Sequence, residues 1–262
     1  MAIYMMRERI PQELCFTANT AGSTVKLQKS WSPIAVTLQT STDWENWSNY
    51  TFNTVITLSN IWDKVYWRNT SETDTWFNQG SSDRYRFVMT WSMAWSWDTN
   101  YLLNKNSTTT MSWGCFMYLF NWCTSLTTAP KLPATTLADY CYNSMFDWCT
   151  SLTTAPSLPA TSLARDCYSF MFNWCTSLNT LIALPATTLW VQCYQCMFQS
   201  CSNIKLSTTK TWAYQTAYRI PTSWTWTTSS NYDISNMFSS TWWTFTWTPS
   251  INTTYYTSNT VV

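Results

Sequence analysis

Hydrophobic and polar positions follow two different rules along this chain. Between residues 14 and 90 short stretches such as CFTAN, TVKLQ, AVTLQT, TVITL, KVYWR and YRFVM alternate apolar with polar side chains, and Asn, Ser and Asp separate them. A period of two, in segments rich in β-branched and aromatic residues, is the pattern of half-buried strands. Short strands at regular spacing predict an all-β sandwich over 14–90.

Beyond residue 110 the apolar positions recur as a block. Phe120, Phe146, Phe172 and Phe198 follow one another at intervals of 26, and the units read FNWCTSLTTAPKLPATTLADYCYNSM, FDWCTSLTTAPSLPATSLARDCYSFM and FNWCTSLNTLIALPATTLWVQCYQCM. A constant period of this length with recurring Leu predicts stacked units. Positions that recur (Leu126/Leu152/Leu178, Leu132/Leu158/Leu184, Leu137/Leu163/Leu189, Met145/Met171/Met197 and the Phe set) are expected inside. Positions that drift (Lys131/Ser157/Ala183, Asp139/Arg165/Val191, Asp147/Asn173/Gln199) are expected to face water. Leu137, Cys141 and Met145 are spaced i, i+4, i+8, which predicts a helix in each unit, and the Thr-rich CTSLTTAP predicts a strand.

Tryptophan changes the picture. The chain has 20 Trp and 3 Gly, whereas glycine is ordinarily among the commonest residues at about 7%. Trp122, Trp148 and Trp174 lie where each expected helix ends and turns, a corner that favours a left-handed backbone and therefore glycine. Asp43-Trp44 occupies a slot suited to Asp-Gly, Ser30-Trp31-Ser32-Pro33 is turn-forming, and Trp242-Trp243 sits within SSTWWTFTWTPS. Trp47 and Trp67, by contrast, sit among strand formers. The placement suggests that many of these tryptophans stand for glycine, through UGA codons read as Gly by the source organism; the alternative is a genuine aromatic surface suited to stacking on sugar rings.

The repeat MFxxCTSLTTAPxLPATTLADYCY resembles the BspA-type leucine-rich repeat of bacterial surface proteins and some phage-encoded proteins, over roughly residues 111–206. It departs from that pattern at Trp122, Trp148 and Trp174, where the family usually has glycine. The β-rich segment upstream is similar to the leader that often precedes such repeats. What the resemblance implies is recognition or adhesion, with no catalytic residues to carry over.

Charge and chemistry narrow the function further. A net charge of +1 with 10% charged residues offers no basic footprint for nucleic acid, and no apolar run is long enough for membrane insertion as a helix. The start MAIYMMRERIPQEL has charges where a signal peptide needs apolar residues, so no export signal is expected there. The absence of histidine removes Ser-His-Asp and Cys-His chemistry and His-containing zinc sites. Cys115/Cys123, Cys141/Cys149, Cys167/Cys175 and Cys193/Cys201 keep the repeat register and are expected as buried thiols, with disulfides between neighbouring units, about 5 Å apart, as the alternative. Cys193-Tyr-Gln-Cys196 reads as drift of the repeat.

The resulting expectation is a mixed fold: an N-terminal all-β sandwich followed by an α/β leucine-rich-repeat solenoid of about 26-residue repeats. The boundaries are an extension at 1–13, the sandwich at 14–90, a linker and start of a cap at 91–110, the solenoid at 111–206, and degenerate repeat or cap at 207–262. The expected function is non-enzymatic surface recognition or adhesion, without cofactor or metal, toward a protein or glycan on another cell or surface. The setting is a cell surface, the extracellular space or a virion. A phage tail-associated receptor-binding protein and a carbohydrate-binding module using exposed Trp are the alternatives. Candidate contact residues are Thr128, Thr154 and Thr180 on successive strands, with Lys131 and Ser157 at the edge.

Overall fold

The structure, a computed structural model, describes residues 13–30, 36–72, 77–78, 84–96, 98–104, 109–221, 223–224, 233–241 and 248–262. The turn at Trp31-Ser32-Pro33 and the Trp242-Trp243 pair lie outside them.

The alternating stretches of the N-terminal part form two antiparallel sheets. One has the order β4-β3-β6-β1-β8, with β1 Leu14–Ala18, β3 Leu38–Ser41, β4 Ser48–Asn49, β6 Lys64–Asn69 and β8 Met93–Ser96. The other has the order β5-β2-β7, with β2 Ser23–Ser30, β5 Ile56–Leu58 and β7 Arg84–Thr90. Alternate residues Val25 and Leu27 of β2, and Tyr85, Phe87 and Met89 of β7, are buried, as the period of two requires. Phe16 and Trp67 of the first sheet meet Phe87 of the second edge-on at 4.9 and 5.2 Å. Trp67 is fully buried there.

Phe87 also begins the second part. Its N–H donates to Leu119 O, Cys123 Sγ donates to Phe87 O at 3.1 Å, and its ring stacks on Phe120 at 5.4 Å. From there a ladder of parallel rings runs Phe120, Phe146, Phe172, Phe198 and Phe238, with centroids 5.4–5.7 Å apart. Tyr142, Tyr168 and Tyr194 make a second ladder at 5.8 Å. Both parts therefore share one continuous core.

The α/β leucine-rich-repeat solenoid does not form. No α-helix occurs among the described residues, which contain strands, turns and 3-10 geometry at Thr99–Leu102 and at Asp233. The sheets are small and none makes a solenoid. Where helices were expected, residues 113–122, 139–148, 165–174 and 191–200 are unbroken runs of turns. Their hydrogen bonding alternates. Cys141, Asn143, Met145 and Asp147 donate to the carbonyl three residues back, while Tyr140, Tyr142, Ser144, Phe146 and Trp148 donate to Arg165, Cys167, Ser169, Met171 and Asn173 of the next unit, at 2.8–3.0 Å.

Positive φ recurs at every fourth residue of these runs, as at Tyr140, Ser144 and Trp148. The run thus has a period of four, which puts Cys141 and Met145 on one face as a helix would. A helix drifts by only about 40° over four residues, so the short spacing pattern fits both.

The expected strands are reduced for a different reason. Thr128 and Thr154 make a single parallel bridge, and Thr180–Leu181 (β9) is two residues long. Pro130 and Pro156 follow two residues on, with Pro133 and Pro159 three further; in the third unit Ile182 replaces the first proline, and Pro185 keeps the second. Proline has no N–H to continue a ladder.

Left-handed backbone appears where the sequence asked for it: φ is 64°, 63° and 58° at Trp122, Trp148 and Trp174, and 66° at Trp44. Trp62 (73°) and Trp91 (61°) join them, while Trp47 and Trp67 do not. The drifting positions Lys131, Ser157 and Ala183 are exposed, but Asp147, Asn173 and Gln199 are half-buried rather than solvated.

After residue 206 the chain adds β11 Leu206–Ser207, preceded by β10 Thr188–Leu189, then β12 Thr216–Arg219, β13 Ser223–Trp224, β14 Thr254–Thr257 and β15 Thr260–Val261. Between them, residues 233–240 lie against the fourth unit, since Tyr194, Cys196, Phe198 and Ser200 donate to Asp233, Ser235, Met237 and Ser239.

Candidate recognition surface

Thr128, Thr154, Lys131 and Ser157 are all exposed, and the bridge between Thr128 and Thr154 holds them in register. Thr180 departs from this set. β15 returns from the end of the chain and pairs in parallel with β9, matching Thr260 to Thr180, and the Thr180 hydroxyl accepts the Ala155 N–H at 2.8 Å. Thr180 is therefore buried, and the exposed face of successive units ends at Thr154.

On another face Trp122, Trp148 and Trp174 form a column, with ring centroids 4.5 and 4.6 Å apart and interplanar angles of 3° and 11°. The sequence indicated an aromatic surface but not this packing. Stacked so closely, the rings cover each other's faces. Only the edges and the two outer faces, on the exposed Trp122 and Trp174, meet solvent. A sugar ring needs an open aromatic face, so the middle of this column offers none.

Beside the column runs a polar ladder. Asn121 and Asn173 both donate their Nδ2 groups to Asp147, at 3.0 and 2.9 Å. Burial pushes the Asp147 carboxyl up to about 6 from 3.8, against the opposing pull of the hydrogen bonds from Asn173 and Asn121. Asn173 Oδ1 is buried with no hydrogen-bond partner. Asp147→Asn, the residue the neighbouring units carry, removes the charge and lets an amide ladder form by rotation of Asn173.

Because the folded carboxyl titrates above its unfolded value, its charge opposes folding. The native protein should lose stability as pH rises from about 4 to 6, and stay level above. The shift corresponds to about 3 kcal/mol for a fully shielded group, reduced to about 1–2 kcal/mol at this half-buried site. Urea unfolding of D147N should show that gain at pH 7 and none at pH 3.5, relative to the native chain. A variant less stable than the native chain at pH 7 would contradict the account.

A third feature is a cleft of about 360 Å³ spanning the first three units, lined by Tyr118, Tyr140 and Phe170 together with Asn143, Ser144, Asp166 and Ser169. Trp113 closes one end, tilted against Tyr140 at 5.6 Å. Sequence comparison between units masked it, because Tyr118, Ser144 and Phe170 occupy one equivalent position with three different side chains.

Other chemistry is sparse. Among the described residues no group of three or more His, Cys, Asp or Glu is placed to hold a metal ion, and no helix is long and apolar enough to cross a membrane. The ten cysteines are free and buried. Cys149, Cys175 and Cys201 donate to the carbonyls of Phe120, Phe146 and Phe172 at 3.0–3.1 Å. Burial pushes the Cys115 thiol up to about 12 and that of Cys196 to about 11, which disfavours thiolate chemistry. Taken together, the chain is a mainly β molecule whose repeated units stack by backbone hydrogen bonding. No family model, no curated protein and no solved structure matches it.

Proposed function

We propose that the chain is a non-enzymatic recognition protein, displayed on a cell surface or particle, that binds a protein or glycan partner along its stacked units. The observation that supports this most is the exposed register of Thr128 and Thr154, with Lys131 and Ser157 at the edge. Two neighbouring units related by one constant step present the same exposed hydroxyls side by side, and stacked repeats provide surfaces of this kind. The face is nearly uncharged, so affinity would come from hydrogen bonds and shape rather than long-range attraction. The repeat text similar to the BspA type points the same way.

Beads coated with the chain, mixed with intact bacterial and epithelial cells, test the reading. A Thr128→Glu/Thr154→Glu variant with an unchanged unfolding midpoint should reduce adhesion at least tenfold, about 1.4 kcal/mol of binding. Equal adhesion by both forms, or none by the native chain, would remove this surface from the function.

A further inference from the structure

The cleft carries an inference of its own. Its walls are the rings of Tyr118, Tyr140 and Phe170, contributed by three consecutive units, and its floor holds Asn143, Ser144, Asp166 and Ser169. The Ser169 hydroxyl is buried and has no hydrogen-bond partner within the protein, a condition that costs folding free energy unless something else supplies the bond. Asn143 already accepts from the Ser144 hydroxyl at 2.9 Å, which fixes its amide and leaves its Nδ2 donors for other partners. Asp166 contributes an acceptor, steadied by Arg165 at 3.4 Å. Aromatic walls over a floor of convergent donors and acceptors make a site for a small ligand that is apolar on its faces and polar around its rim.

We infer that this cleft binds an uncharged hydroxylated ring, a neutral pyranose, with its C–H faces against Tyr140 and Phe170 and its hydroxyls on Asn143, Ser169 and Asp166. Among the described residues lining the cleft Asp166 alone is charged, so it accepts hydroxyl protons and repels an acidic sugar; the flanking cations are already engaged, Arg165 on Asp166 and Arg84 over the outer side of the Tyr118 wall at 4.6 Å from its ring centroid. The Trp122–Trp148–Trp174 column takes no part, and Trp113 only closes one end, so the site keeps its walls whichever residue stands at the tryptophan positions. The inference rests on the recognition reading and names a ligand class for it, at a separate place on the molecule.

Saturation-transfer NMR with the whole chain and the methyl glycosides of glucose, galactose, mannose and N-acetylglucosamine is the test. Transfer to ring C–H protons of at least one glycoside is expected. Phe170→Asn should weaken it at least tenfold; asparagine suits the left-handed backbone at this position (φ 55°), so the variant keeps its fold. Ser169→Ala should weaken it several-fold with an unchanged unfolding midpoint. Transfer that survives Phe170→Asn and Tyr140→Asn would put the sugar elsewhere and overturn the inference, as would no transfer to any glycoside at high millimolar concentration. The Thr128→Glu/Thr154→Glu variant should bind the glycoside normally. Loss of cell adhesion with retained glycoside binding thus separates failure of one reading from failure of the other.

Discussion

Replacing Trp62 and Trp91 by glycine is expected to stabilise the protein, whereas replacing Trp67 by alanine should come close to unfolding it. Trp62 and Trp91 are 72% and 63% exposed and hold φ at 73° and 61°. A side chain with a Cβ costs about 1–2 kcal/mol in that region, and glycine returns part of the gain through its freer unfolded chain. The pair should net about 1 kcal/mol. Trp67 is fully buried against Phe16, Tyr50 and Phe87, and truncation of such a ring costs about 3–5 kcal/mol. Urea midpoints should therefore move in opposite directions. If all three substitutions destabilise alike, left-handed strain is not what distinguishes these tryptophans.

The contrast bears on what these residues are. Outside the turn runs and the further run of turns at 235–240, positive φ falls on Trp44, Trp62, Trp91, Asn53, Asn252 and Gly22. Asparagine and glycine are the usual occupants of such positions, and tryptophan is not. We propose that these tryptophans, with Trp122, Trp148 and Trp174, are encoded by UGA codons that the source organism reads as glycine. Peptide mass spectrometry of the protein from its own cells should find glycine at 148 and 174. Tryptophan there would show that the stacked column is real.

The second large effect is expected from Phe146→Ala. The ring is fully buried and stacked on both sides, against Phe120 at 5.4 Å and Phe172 at 5.5 Å. Removing it opens a cavity that flanking units cannot fill, since their backbones are tied together by hydrogen bonds at every second residue of the run. The loss should reach about 4–5 kcal/mol, a large part of the 5–15 kcal/mol typical of a whole domain. At the far end of the described ladder Phe238 stacks on Phe198 and meets Tyr218 edge-on. A loss below about 2 kcal/mol for Phe146→Ala, measured by urea unfolding, would mean that the ladder does not act through its interior packing.

What the sequence made legible follows from local rules. The 26-residue register, the buried Phe and Met positions and the left-handed corners are each specified by a few residues within one unit. The helices were misread because Leu137, Cys141 and Met145 satisfy a period of four as well as one of 3.6, and only the partner of each N–H tells them apart. The burial of Thr180 was out of reach for another reason. It depends on Thr260, distant in sequence and outside the repeat. The cleft was hidden because its walls vary between units, and variation reads as surface.

The alternating hydrogen bonds also have a consequence for how the molecule can change length. Each interior unit hands half of its run's N–H groups to its successor and receives the same from its predecessor, so such a unit is chemically complete only between two others. Size is thereby quantised: excising residues 146–171 joins matching registers and leaves a shorter but complete stack, while a deletion a few residues longer or shorter strands a whole row of donors. Such a chain is free to evolve its reach by gaining or losing entire units, and almost forbidden to do so by anything less.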